Sequence, residues 1–311
     1  MGFFALLQNE HMKLYQRIGT WVMIILLIPV LIFFAKGGSD ATKPVGDNWR
    51  AEQQASIQEN KKTMTEMKSP RGIEVLKKNI AIAEYRLKHD KKPSEGNGFL
   101  MISGNVLIII NVFTIMVAST IVASEFSWGT IKLITIRPFK RWKLLLAKYL
   151  TTIIFSFLLI FFTILFFLLV GSYLFGYDSI TEPVLLYRDG HVIEKDALQY
   201  LFESYGLKLI NLLMITTLAF MISSIFRNQS VAIGISLTLL FVGGTVTSYL
   251  ASKYTWTKYF LFANTNLEQY IDGPVMVKGM TLQFSITMLI IYYLIFVFTT
   301  WFVFNKRDIT Y

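Results

Sequence analysis

The 311-residue chain contains no cysteine and three histidines, His11, His89 and His191, far apart in sequence. Disulfides, thiolate metal sites and cysteine nucleophiles are thereby excluded, and the histidines form no metal-ligand pattern. The sequence holds no G-x-x-x-x-G-K-[ST], so it carries no Walker-type cradle for nucleotide phosphates. H-E-x-x-H and G-x-S-x-G are missing as well. Charge is scarce, at 16% of residues, against about a quarter in soluble proteins. What fills the chain instead is apolar: 54% hydrophobic residues and a mean hydropathy of +0.50. A soluble core does not use that much apolar surface; a bilayer does.

Crossing roughly 30 Å of hydrocarbon takes about 20 apolar residues. Six stretches qualify, at 18–35, 99–123, 149–173, 207–226, 231–250 and 282–304, and the expected fold is an all-α integral membrane protein. Residues 1–17 include Glu10 and no A-x-A follows residue 35, so the first stretch reads as a retained span rather than a cleaved leader. Lys and Arg in the short loops set the orientation. Residues 1–17, the 124–148 loop, Arg227 and the 305–311 tail carry eleven; the loops at 174–206 and 251–281, with Lys208 at a span edge, carry six. Both termini are expected in the cytoplasm of a multi-pass plasma-membrane protein. The net charge of +10 then faces anionic lipid headgroups rather than nucleic acid.

Four segments outside the spans have patterns of their own. Phe3, Leu7, His11, Leu14 and Ile18 fall on one arc of a helical wheel, which predicts an amphipathic interfacial helix running into the first span, where Trp21 is an interfacial anchor. The 36–98 segment is polar. Ser69–Pro70 suits an N-cap followed by Pro at N1, and Ile73, Leu76, Ile80, Ala83 and Leu87 repeat every three or four residues. An extracellular antiparallel helical hairpin over 49–88, about 30 Å long, is expected, and cargo contact, a spacer role and a dimer contact all stay open for it. The acidic stretch 177–206, with a turn at Asp189–Gly190, reads as a solvated loop or a short amphipathic helix. Tyr254, Trp256, Tyr259 and Phe260 look like an aromatic belt.

The spans contain no Asp, Glu, Arg or His. A charge at mid-membrane costs about 2.5–3.5 kcal/mol on insertion scales and is kept mostly for function, so proton-coupled carriers and intramembrane metalloproteases are argued against. Any transport must draw energy from another chain. Asn105, Asn111, Ser156, Asn211, Thr216, Thr217 and Ser236 are expected to make hydrogen bonds between helices.

The loop 124–148 is short, basic and half apolar. Its pattern Glu125-x-x-x-Gly129-Thr130, then Arg137-Pro138-x-x-Arg141 and Lys148, resembles the first cytoplasmic loop of type-2 ATP-binding-cassette (ABC) exporter permeases. The interfacial first helix, the six spans, the large segment after span one and the ending Phe304-x-x-Arg307-Asp308 are similar too. The resemblance is greatest to Gram-positive permeases grouped with bacitracin, lantibiotic and sodium export systems. It implies a coupling helix docked on a separate cytoplasmic ATPase, which holds the ATP and magnesium, and a pathway formed with a second permease chain, identical or not. Glu125, Gly129, Thr130, Arg137 and Arg141 would transmit motion, with Gly129 permitting close backbone approach. The chain itself would be a transport subunit, not an enzyme. Two alternatives stay open: a non-transporting sensor or scaffold whose hairpin detects a ligand, and a lipid-modifying membrane enzyme using the external carboxylates.

Overall fold

The computed structural model describes residues 2–41, 46–67, 69–129, 140–188, 190–226 and 228–306. The chain begins with α1 (Phe3–Tyr15), followed by the first long apolar helix, α2 (Ile18–Ala41). Two polar helices come next, α3 (Trp49–Glu66) and α4 (Pro70–His89). The second apolar passage is composite: α5 (Glu95–Ile102), a 3-10 turn at Ser103–Val106, and α6 (Leu107–Thr120). After the short α7 (Ala123–Ser127) come α8 (Arg141–Phe175) and α9 (Tyr177–Thr181). The strands β1 (Val184–Arg188) and β2 (His191–Lys195) precede α10 (Ala197–Ile225) and α11 (Gln229–Ala251). Short turns, including α12 (Leu261–Asn264), lead to α13 (Leu282–Lys306). Six of these passages are long and apolar enough to cross a membrane.

Helix ends lie where local chemistry puts them. Ser94 Oγ accepts from the Asn97 amide at 3.3 Å, which starts the second passage at Glu95 rather than residue 99. Asp196 Oδ1 accepts from the Gln199 amide at 2.8 Å and starts α10 ten residues before its apolar run. α8 has 35 residues, so it is about 52 Å long and overshoots the hydrocarbon. Its first two turns, expected as loop, are good helix formers (Leu144, Leu145, Leu146, Ala147), and they carry Lys148 into the helix.

α10 is the most enclosed of the six, while α11 and α13 leave most of their surface outward, as lipid contact requires. Within the bundle, small polar side chains tie helices together, the usual solution where lipid removes the hydrophobic drive for association. Ser119 Oγ donates to Ser236 Oγ at 3.0 Å, and Ser223 Oγ donates to the Ser119 carbonyl at 2.7 Å, joining α6, α10 and α11. Of the polar span residues singled out above, Ser236 and Thr217 do bridge helices, the latter to Tyr149 Oη at 2.7 Å. Asn211 reaches the Thr265 carbonyl at 3.3 Å. Thr216 and Ser156 turn back on the carbonyls of their own helices, Leu212 and Thr152.

The stretch read as a solvated loop or helix holds an antiparallel β-hairpin instead, with Leu186 opposite Ile193 and Arg188 opposite His191. Val184 and Leu186 alternate inward against Ala197, and Gly190, with φ of +85°, supplies the left-handed position a two-residue turn demands. Two five-residue runs, one of them half charged, are easily hidden between long spans.

α3 and α4 form an antiparallel helical hairpin. Ser69 Oγ accepts from the Gly72 amide and Pro70 takes the first helical position. Ile57, Ile80 and Ala83 make its small core, with Leu87 against it. Lys61–Glu84 at 3.2 Å and an Arg50–Asp90 pair brace the outside, where exposed pairs contribute little. Ile80→Asp should bury an unpaired charge there and raise the tryptic cleavage rate within 49–89 of the purified chain about tenfold or more. Val75→Asp, on an exposed position of α4, should leave it unchanged. Equal cleavage of the two variants contradicts the packing.

Candidate functional site: a buried ion network

At the end of the bundle away from the two hairpins, α1 lies across the start of α8. Its buried residues are Leu6, Glu10 and Leu14. That differs from the apolar arc expected from Phe3, Leu7, His11, Leu14 and Ile18. Ile18 and Phe4 are instead among the most exposed side chains, and the inner face carries a carboxylate. The reason is Lys148, whose side chain is 1% exposed. Its Nζ lies 2.6 Å from Glu10 Oε2 and also contacts Glu125 Oε1 on α7. Lys13 Nζ closes the group, 2.7 Å from Glu10 Oε1 and 3.9 Å from Glu125 Oε1.

A third cation stands beside it. Arg17 donates to Ser124 Oγ at 3.3 Å and lies 5.3 Å above the Trp128 ring. Three cations thus surround two carboxylates. Burial alone would raise the Glu10 carboxyl, but Lys148 and Lys13 outweigh it and hold it below its ordinary value of 4.5. The joint between α1 and α2 is fixed by side chains that satisfy the end of α1: Thr20 Oγ1 donates to the Leu14 carbonyl at 2.6 Å, and Trp21 Nε1 to the Tyr15 carbonyl at 2.7 Å. On the other side, the Ala123 amide donates to Ser223 Oγ at 3.1 Å, pinning the start of α7 to α10.

The residues singled out from the loop are spread by the fold. Glu125 is buried in the network, not displayed for a partner. Gly129 is exposed, and its φ of +69° favours glycine; among the described residues nothing lies within 4 Å of where a Cβ would stand. Arg141 is exposed at the start of α8, and its Nη1 donates to the Asn305 carbonyl at 3.4 Å. Thr130 and Arg137, with Arg307 and Asp308 of the chain's ending, lie outside the described residues. Glu10, Lys13 and Arg17 were not singled out. The signal for them is a lone carboxylate in the first amphipathic turns together with a lysine on the edge of a span, which only pairing makes tolerable.

These features define a multi-pass membrane protein whose N-terminal helix is locked by charge to the segment after its second span. The chain belongs to the family described as "Protein of unknown function (DUF2705)", whose model matches residues 73–310. It is 40% identical to "Uncharacterized protein YhcI" of Bacillus subtilis over 98% of both chains. It is also 32% identical to "Uncharacterized membrane protein YdbK" of the same organism, over 68% of this chain and 82% of that one.

Removing one partner of a buried pair leaves charge uncompensated, at about 3–5 kcal/mol. Lys148→Ala should therefore lower the midpoint of thermal unfolding in detergent strongly, while Glu10→Gln/Glu125→Gln/Lys148→Met recovers most of it. Because folding depresses the Glu10 pKa, its contribution is present above pH 4.5 and is lost as pH falls through the lower folded value. The midpoint of the wild type should fall more steeply than that of Glu10→Gln below that pH. A Lys148→Ala midpoint equal to wild type contradicts the network.

Proposed function

We propose that this chain is the transmembrane permease subunit of an ABC exporter in the plasma membrane, driven by a separate cytoplasmic ATPase and paired with a second permease chain. The observation that carries the reading is the mounting of the 128–140 segment. At its start, α7 is tied through Glu125 to α1 and α8; at its end, Arg141 opens α8, the longest helix of the bundle. Force applied to such a segment passes into three helices at once through charges that cannot separate cheaply. Its first residue, Trp128, is 61% exposed, an aromatic handle of the kind interfaces use. The positive-inside count supports placing this end in the cytoplasm and the helical hairpin outside. The missing Walker sequence fits a subunit that borrows its energy.

In this account Glu125 holds the docking segment in place, and Gly129, Thr130, Arg137 and Arg141 face the ATPase. The test is co-purification of the tagged chain from its native membrane. A nucleotide-binding chain and ATP hydrolysis should be retained, and Arg137→Glu/Arg141→Glu should lower retention at least about tenfold with an unchanged melting midpoint. Glu125→Lys should lower retention and midpoint together. Since the chain has no cysteine, one introduced at the exposed Ala55 should react with an impermeant thiol reagent on intact cells and one at the exposed Ser127 should not. A wild-type chain that retains no ATPase, or reversed labelling, overturns the proposal.

A further inference from the structure

At the opposite end of the bundle, the helical hairpin is held against the β-hairpin and the last inter-span loop. Lys91 Nζ lies 2.5 Å from Glu194 Oε1, Tyr85 Oη donates to the same carboxylate at 2.7 Å, and Lys78 Nζ lies 2.5 Å from Asp272 Oδ1. Beneath these contacts is a cavity of about 460 Å³ between α4, α5 and β1. Four cations line it, Lys78, Arg86, Lys91 and Lys92, against two carboxylates, Glu182 and Asp272. Lys78 and Lys91 already have partners. Arg86 is half-buried, and among the described residues its guanidinium has neither an ion pair nor a hydrogen bond. Lys92 has none either.

A guanidinium withdrawn from water without a counter-charge is costly, and burial holds the Arg86 pKa below its ordinary value with no acid offsetting it. Asn97, also in the lining, is 8% exposed, and its Nδ2 donates to the Glu182 carbonyl at 2.6 Å. The cavity therefore offers a forked cation for an oxyanion and a second cation in the same lining. Ile82 and Leu185 add apolar wall.

We propose that this cavity binds an anionic phosphate ester, with the phosphate on Arg86 and Lys92. Arginine matches phosphate oxygens two at a time. The chemistry is shared by a glycerol-type phospholipid headgroup and by a soluble sugar or glycerol phosphate, and the site needs no ATPase to exist.

The experiment titrates the full-length chain, purified in detergent, with glycerol 1-phosphate, short-chain phosphatidylglycerol and, for comparison, short-chain phosphatidylcholine. One or both of the first two should bind more tightly than the third. Arg86→Gln should weaken that binding about tenfold or more, the loss expected for a charge-assisted contact. Lys92→Gln should weaken it several-fold, and Lys88→Gln, exposed on the same helix, should not change it. Tighter binding of the lipid assigns the occupant to a headgroup; equal binding of glycerol phosphate assigns it to a soluble ester; either supports the site. Should Arg86→Gln lower the melting midpoint, Lys92→Gln carries the test. Failure of both anions to bind, or wild-type affinity in a variant of unchanged midpoint, overturns the proposal.

Discussion

Lys148 is an ammonium 1% exposed, and almost everything about one end of this molecule follows from where it finds its counter-charges. Desolvating such an ion costs several kcal/mol, recovered only with close, well-satisfied partners. Two carboxylates from different elements supply them. Glu10 brings α1 down onto α8, and Glu125 brings α7. Lys13 pairs with both carboxylates, and Arg17 beside them reaches Ser124 and Trp128. The apolar contacts around the network, Leu6 with Ile115, Ala118, Leu144 and Ala147, exclude water and so strengthen each pair.

The middle of the bundle works by other means. Among the described residues it has no ionic ties, and its helices are joined by Ser and Thr hydroxyls between α6, α10 and α11, each contact of modest energy. Ionic chemistry returns at the far end, where Glu194 and Asp272 hold the helical hairpin and where Arg86 is left without a counter-charge. The molecule thus has two ionic ends on a neutral bundle. In one end the carboxylates and ammoniums are paired; in the other, among the described residues, the Arg86 guanidinium is not.

Much of this was legible in the sequence. Six apolar runs mark the six passages, because length and hydropathy are nearly sufficient in a bilayer. Ser69–Pro70 and the spacing of Ile80, Ala83 and Leu87 mark the helical hairpin through capping and periodicity. The ion network was not legible as such: Glu10 and Lys148 are separated by 138 positions, and no local rule pairs them. The wheel reading left Glu10 out of the apolar arc, and the structure turns it inward onto Lys148. Glu125 was singled out as a contact for a partner, and the fold uses it internally instead. The β-hairpin was hidden by its brevity and by the charges on β2.

Lys148 thus holds α1 and α7 together at the start of α8. The direct measurement is hydrogen–deuterium exchange of the detergent-purified wild type and Lys148→Ala, following peptides that cover α1 and α7. If Lys148 is the shared anchor, backbone amides of both helices exchange at least about tenfold faster in the variant, while those of α6 and α10 keep their protection. Unchanged exchange in α1 and α7, with Lys148 removed, would contradict the account.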